Sequence, residues 1–234
     1  MKKLLFGLIF AGLGAAFVAA GDAAVFDDIG FSADGKTYLF GQYGKTDVNY
    51  KPWAEIYTVD VAKNDFVPGG VYKNSSESSN SEMSGKKAYS DLKDKVEWKI
   101  SKYAASPAGT DTLLYLYEEN EKTATDTISF KDFENSTEDK SIFYEVTLVP
   151  SYEGKGKNVR SRFYINLVKK DAAGSVVGTW KVGTPDFKRK GITSYRIEKI
   201  FGDKSGKSLV FVVQKTLEDD TGTSIRYMVE TVRF

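Results

Sequence analysis

Apolar and aromatic residues alternate with polar ones along most of the chain, and this two-residue period predicts half-buried β-strands. In the segment 142–149, for example, every second residue from Ile142 to Leu148 is apolar or aromatic. Asn64-Asp65 and Gly69-Gly70 are typical of turns and are predicted to end the first group of strands. The pattern predicts strands at 25–31, 37–43, 53–61, 112–117, 142–149, 162–168, 176–182, 195–201, 209–214 and 225–232. We therefore predict an all-β fold, mainly antiparallel, with at least nine strands.

One segment departs from this period and predicts a helix. Between residues 86 and 103, apolar residues recur every three or four positions, which places them on one helical face. They are Tyr89, Leu92, Val96, Ile100 and Tyr103. The preceding stretch 74–85, NSSESSNSEMSG, is polar and has no period, so it is predicted to be a linker. We expect a single amphipathic helix packed on a sheet.

The N-terminus has the pattern of a secretory signal peptide. Lys2 and Lys3 precede an uncharged apolar run, and residues 18–20 are Val-Ala-Ala, as a signal peptidase requires. We predict cleavage after Ala20, with Ala23 and Ala24 as alternatives, and a mature β-rich domain at 21–234. A retained anchor or a buried N-terminal helix is the competing interpretation. After cleavage we expect no integral membrane segment, and a periplasmic or secreted location.

Two segments far apart in the chain share a strand-turn-strand pattern. They read FSADGKTYLF from Phe31 and FGDKSGKSLVF from Phe201, and each has a Gly-Lys pair in the turn. Glycine supplies the positive φ that tight hairpins need, so two equivalent hairpins are predicted. The first segment, followed by the strand IYTVDV at 56–61, resembles a propeller blade of the TolB type. Taken together with IRYMVE at 225–230, the chain resembles a bacterial family known only as predicted secreted proteins. This resemblance implies export and a β-rich fold, either propeller-blade-like units or a sandwich, and supplies no catalytic residues.

Composition excludes several kinds of chemistry. The chain has no Cys and no His, which excludes Ser-His-Asp triads, Cys nucleophiles and the usual zinc sites. Without Lys2 and Lys3, the 33 basic residues fall to 31 against 32 acidic ones, so no cationic surface for nucleic acid is expected. No phosphate-binding loop or calcium loop is present, and we predict no cofactor and no metal. Catalysis by a pair of carboxylates, as in glycoside hydrolysis, remains open.

The most distinctive loop is YGKTDVNYKPW, at 43–53. Large aromatic residues on a loop of a rigid β-scaffold are common in binding surfaces, because they supply apolar area at a small entropic cost. Tyr43, Asp47, Tyr50 and Trp53 are therefore the candidate binding residues, and Tyr50 and Trp53 are expected to be exposed. The alternative is that Tyr50 and Trp53 pack back onto the sheet.

These observations predict an exported, non-enzymatic, β-rich protein. Its partner is expected to be a protein or a glycan of the cell envelope. Two alternatives stay open at this stage. One is a carboxylate-dependent glycan hydrolase. The other is an outer-membrane β-barrel, which the alternate apolar residues ending at Phe234 permit but Arg226 and Glu230 disfavour.

Overall fold

Thirteen β-strands and one α-helix make up the part of the protein that the computed structural model describes, residues 22–75, 82–109, 112–118, 127–137 and 140–234. The predicted signal peptide lies outside these residues. The strands are β1 (Val25–Phe31), β2 (Thr37–Lys45), β3 (Pro52–Asp60), β4 (Asp65–Ser75), β5 (Leu113–Leu116), β6 (Ile128–Asp132), β7 (Ile142–Glu153), β8 (Arg160–Lys170), β9 (Val176–Val182), β10 (Arg189–Lys190), β11 (Ile192–Gly202), β12 (Ser208–Asp219) and β13 (Gly222–Arg233). The helix α1 spans Gly85–Ile100, and short 3-10 helices follow at Ser101–Tyr103 and Gly156–Asn158.

The strands form three antiparallel sheets. Sheet I has the order β1-β2-β3-β4, sheet II the order β10-β8-β7-β6 with β9 also paired to β8, and sheet III the order β13-β12-β11-β5. Every pair of neighbouring strands runs antiparallel. The prediction of a mainly antiparallel β-fold with one amphipathic helix is therefore confirmed.

Sheet III lies between the other two sheets, and β12 shows this most clearly. Its alternate residues Val210 and Val212 pack with Tyr38 and Phe40 of sheet I. Phe211, which lies between them, belongs with Leu209 and Val213 to the core shared with sheet II. Because both faces of β12 are covered, its first six residues are all buried, which explains a run that is apolar without alternation.

Helix α1 covers the other face of sheet I. It begins at Ser84, whose Oγ accepts a hydrogen bond from the Lys87 backbone N–H at 3.0 Å. The predicted apolar face is buried against Leu39 and Ile56 of the sheet. Its members in α1 are Tyr89, Leu92, Val96 and Ile100, with Tyr103 partly buried just beyond the helix. The predicted helix at 86–103 thus corresponds to α1 and the 3-10 turn that follows it.

Strand β4 was not predicted, and it changes the interpretation of two segments. Residues 67–70 loop out opposite Thr58, with Gly69 at φ 69°, and pairing with β3 resumes at Val71. The glycine pair therefore makes a bulge and does not end the unit. Asn74 and Ser75, expected in the linker at 74–85, lie in β4 opposite Ala54 and Trp53, because backbone pairing does not depend on their polarity. Residues 76–81 of that linker lie outside the described part of the chain.

The two predicted hairpins have the same turn geometry. In β1–β2, the N–H of Ser32 donates to the Thr37 carbonyl, and Gly35 has φ 65°. In β11–β12, the N–H of Asp203 donates to the Ser208 carbonyl, and Gly206 also has φ 65°. The prediction of two equivalent hairpins is confirmed. They lie in different sheets, however, and the resemblance to propeller blades does not extend to the other strands.

The short strands β6 and β10 were also missed by the sequence pattern, since each offers too few residues to show a period. Among the described residues, no helix has the length and apolar character needed to span a membrane.

Candidate ligand-binding site

The loop singled out from the sequence is the connection between β2 and β3. Lys45 pairs with Pro52, and the Thr46 N–H donates to the Lys51 carbonyl at 3.0 Å. The Lys51 N–H donates in turn to Thr46 Oγ1 at 2.9 Å. These bonds continue the ladder beyond the strands, so only residues 47–50 form the tip of the hairpin.

The hairpin tip, residues 47–50, presents apolar surface to solvent. Tyr50 is 62% exposed and Val48 is 57% exposed. Asp47 Oδ1 accepts a hydrogen bond from the Val48 N–H at 2.8 Å, and Tyr50 has φ 49°, in the left-handed region. The carboxylate of Asp47 thus shapes the tip, while the ring of Tyr50 is available for contact.

Tyr43 lies away from the tip, at the interface with helix α1. It is half-buried, and its ring stacks on Tyr89 with centroids 4.9 Å apart. The hydroxyl of Tyr89 donates to Asp27 Oδ2 at 2.6 Å, which fixes that ring in turn. Tyr43 therefore joins the helix to sheet I and is not part of the exposed tip.

Trp53 is largely buried, so the expectation of exposure is wrong for this residue and correct for Tyr50. The exposed fraction of Trp53 is only 9%. Its indole N–H donates to Asp22 Oδ2 at 3.0 Å, and the Arg226 guanidinium lies 4.2 Å from its ring centroid. The physical reason is that a buried indole N–H needs an acceptor, and the ring face attracts a cation. Trp53 thus anchors the hairpin whose tip carries Tyr50.

Asp22 and Arg226 are residues that sequence analysis missed. The Arg226 guanidinium donates to Asp22 Oδ2 at 2.5 Å and to the Asp22 carbonyl at 3.1 Å. Backbone bonds from Ile225 to Asp22 and from Ala24 to Ile225 hold the segment before β1 against β13. The two residues are 204 positions apart, and no local pattern links them.

Beside the hairpin lies a groove of about 480 Å³. We call it the Trp53 groove. It is lined by residues of β3, β4, β13 and the hairpin, among them Thr46, Lys51, Trp53, Glu55, Lys73 and Arg226. Asn74 and Ser75 add an amide and a hydroxyl to the same lining. The groove therefore offers hydrogen-bond donors and acceptors of several kinds next to the exposed tip.

Glu55 is the one carboxylate among the residues that line the Trp53 groove. It accepts hydrogen bonds from Tyr57, from Gln42 Nε2 at 3.0 Å and from Lys73, whose Nζ is 2.9 Å away. Burial raises the pKa of Glu55, but the hydrogen bonds from Tyr57 and Lys73 outweigh it and hold the pKa below its ordinary value. A glycoside hydrolase of the usual kind needs two carboxylates, so this groove lacks one half of that arrangement.

Lys215, next to Arg226 across the β12–β13 ladder, gives the stability of this region a pH dependence. Burial and the charge of Arg189 lower the pKa of Lys215 to about 8 from its ordinary 10.5. Between these two pKa values Lys215 is mostly protonated in the unfolded chain and mostly deprotonated in the folded protein. The free energy of unfolding should therefore rise with pH. We expect a rise of about 1–2 kcal/mol between pH 7.5 and 9.5 in urea denaturation.

Lys215→Met should abolish most of that rise, whereas Lys155→Met, at an exposed position, should preserve it. An unchanged slope in Lys215→Met would show that other groups cause the dependence. The urea denaturation series must stop below pH 10, because two buried tyrosines would otherwise add a pH dependence of their own. Burial raises the pKa of Tyr57, and also that of Tyr89, above its ordinary value. These tyrosines make the folded state lose stability at higher pH.

In the described part of the chain, no three Asp or Glu residues come together in a group that could hold a metal ion.

Comparison with known proteins gave one finding about the family. A family described as predicted secreted protein (DUF2259) matches residues 39–233, which include the hairpin tip, helix α1 and the strands from β3 to β13. No curated protein and no solved structure matched.

Proposed function

The chain belongs to this predicted secreted protein family, and from that premise we propose that it is an exported, non-enzymatic protein that binds a glycan of the cell envelope. A protein partner at the same surface is the second possibility. The proposal places the protein in the periplasm or outside the cell, after removal of the signal peptide.

The hairpin tip is the observation that carries the proposal. Tyr50 and Val48 are exposed at the end of a hairpin that is closed by the Thr46–Lys51 bonds and anchored by buried Trp53. An exposed aromatic ring on a rigid support loses little entropy on binding, because the loop is already ordered.

The groove beside the tip favours a glycan. Sugar rings offer C–H faces that suit the ring of Tyr50 and hydroxyls that both donate and accept hydrogen bonds. Lys51 and Lys73 supply donors, while Glu55 and Asn74 supply acceptors within the same groove. A few placed polar groups beside an apolar contact are typical of small-ligand sites.

Export with cleavage after Ala20 is part of the proposal. The contacts of Asp22 with Trp53 and Arg226 favour this site over Ala23 and Ala24. Cleavage after Ala23 or Ala24 would remove Asp22 and leave the Arg226 guanidinium without its carboxylate.

The test is a binding assay with purified sacculi and with soluble peptidoglycan fragments. Tyr50→Ala should weaken binding by about tenfold or more, as for a central aromatic of an interface, without altering the melting temperature. Phe133→Ala is the matched control, because Phe133 is 74% exposed and follows β6 beside Asn135, which packs on Gly206 of the β11–β12 turn, at the opposite end of β2 from the hairpin tip.

Equal binding by the wild type and Tyr50→Ala would contradict the proposal. If neither material binds, a photo-crosslinker at position 50 should be tried in intact cells. Capture of one envelope protein there, competed by the unmodified chain but not by its Tyr50→Ala variant, would replace the glycan with a protein partner.

A further inference from the structure

The turns of the two equivalent hairpins meet at one end of the molecule. Ser208 Oγ donates to the Gly35 carbonyl at 3.0 Å, which joins the β11–β12 hairpin to the turn of β1–β2. A Cβ placed on Gly35 would lie 2.4 Å from Asp203 Oδ2, so the contact requires glycine there. The repeat in the sequence thus becomes a pair of adjacent turns.

A cavity of about 590 Å³ opens between these turns and the segment 104–108. We call it the turn cavity. Its apolar walls include Phe31, Ala33, Pro107 and Ala108. The wall from 104–108 is held in place, since the Ala108 N–H donates to Asp28 Oδ2 at 2.7 Å and the Ser106 N–H donates to the Phe31 carbonyl at 3.1 Å. The volume is that of an ordinary small-ligand pocket.

Among the described residues, the cations that line the turn cavity form no ion pair with a carboxylate. Arg233 donates to the Gly35 carbonyl at 2.8 Å, to Ser208 Oγ at 2.7 Å and to the Asp34 carbonyl at 3.3 Å, all neutral acceptors. Within the described ranges, neither Arg233 nor the lining residues Lys204 and Lys207 forms an ion pair.

The two carboxylates that line the same cavity accept hydrogen bonds within their own turns. Asp203 is buried, and its carboxylate accepts hydrogen bonds from Ser205 Oγ and from the N–H groups of Lys207 and Ser208. The carboxylate of Asp34 accepts from Ser32 Oγ and the Lys36 N–H, within its own turn. The lining residues thus carry three cationic side chains against these two carboxylates, and the cavity has a net positive charge.

We propose that the turn cavity binds a small organic anion, a carboxylate or a phosphate ester with a compact apolar body. The anionic group would contact the guanidinium of Arg233 and the ammonium groups of Lys204 and Lys207. Planar guanidinium groups match carboxylate and phosphate oxygens with paired hydrogen bonds. The apolar body would occupy the side of the cavity formed by Phe31, Pro107 and Ala108.

This site is separate from the hairpin tip, and the proposal does not depend on glycan binding there. The two can be tested apart, because the tip belongs to the β2–β3 hairpin and the turn cavity to the β1–β2 and β11–β12 turns. Tyr50→Ala is expected to leave the turn cavity unchanged.

The experiment titrates the purified exported protein with benzoate and with phenyl phosphate, and with benzamide as the uncharged match, followed by amide NMR. We expect saturable shifts at Gly35, Gly206 and Ala108 with either anion or with both, and none with benzamide. The affinity should fall with added salt, because ion pairs at an open cavity are screened.

Three variants make the test specific. Lys204→Gln combined with Lys207→Gln should weaken anion binding by about tenfold or more, since two charge-assisted contacts are lost. Ala33→Trp should block the cavity without changing its charge. Lys155→Gln removes an exposed charge elsewhere and should bind as the wild type does.

Two outcomes would overturn the proposal. One is the absence of saturable shifts with both anions. The other is undiminished binding where a loss is expected. Either the wild type would bind benzamide as tightly as the anions, or Ala33→Trp or the double lysine variant would bind the anions as tightly as the wild type does. Because the readout is local to the turns, these outcomes leave the glycan assay at Tyr50 unaffected.

Discussion

Replacing Trp53 with Ala is expected to lower the free energy of unfolding by about 3–5 kcal/mol, the usual cost of deleting a buried large aromatic side chain. The change leaves a cavity and removes the indole N–H bonded to Asp22 and the ring that faces Arg226. Urea denaturation followed by tyrosine fluorescence or circular dichroism measures the effect.

Tyr50→Ala is the matched comparison from the same hairpin. Because Tyr50 is exposed, its replacement should alter stability by no more than about 0.5 kcal/mol. If the two variants were equally stable, Trp53 would not anchor the hairpin. If Tyr50→Ala were the less stable of the two, the placement of both rings would be reversed.

Asp22→Ala is expected to cost about 3–5 kcal/mol, as when one partner of a buried ion pair is removed. The Asp22 side chain is almost fully buried, and its Oδ2 receives both the Arg226 guanidinium and the Trp53 indole N–H. Without the carboxylate, both donors lose their acceptor in a place that water reaches poorly. Chemical denaturation at neutral pH gives the value.

The double variant Asp22→Ala, Arg226→Met separates loss of the ion pair from loss of packing. It should regain part of the lost stability, because no unpaired guanidinium stays behind and the Met side chain packs near Trp53. Additive losses in the double variant would show that the two residues act independently. Lys36→Met, at an exposed ion pair with Asp34, is a control and should cost less than about 1 kcal/mol.

The local sequence pattern was sufficient to predict an element and its buried residues where only one face of the element packs on the core. The period of α1 identified its buried residues, because a helix with one apolar side has few ways to pack. The two Gly-Lys turns were also recognisable, since the positive φ at Gly35 and Gly206 is a local requirement. The same reasoning failed at Gly69-Gly70, where pairing with β3 carries the strand past a feature that usually ends one.

The candidate binding residues show the limit of local pattern more sharply. Tyr50 and Trp53 lie three positions apart in one loop and have similar apolar character, yet one is exposed and the other is buried. The difference comes from Asp22 and Arg226, which reach Trp53 from opposite ends of the chain. Such distant partners decide whether a side chain is exposed, and the sequence of the loop does not show which partners will contact it.

The sequence by itself determined the chemistry available to this protein and the elements from which it is built. It contains no Cys or His, it begins with an export pattern, and its periods specify strands, one helix and two similar turns, because side-chain direction follows from local backbone geometry. Only the tertiary structure decided that β12 is buried on both faces, that Trp53 is an anchor, and that the two turns enclose a cavity beside Arg233. Those features arise where segments up to 204 residues apart come together, and the packing of three sheets, not any local period, fixes which segments meet.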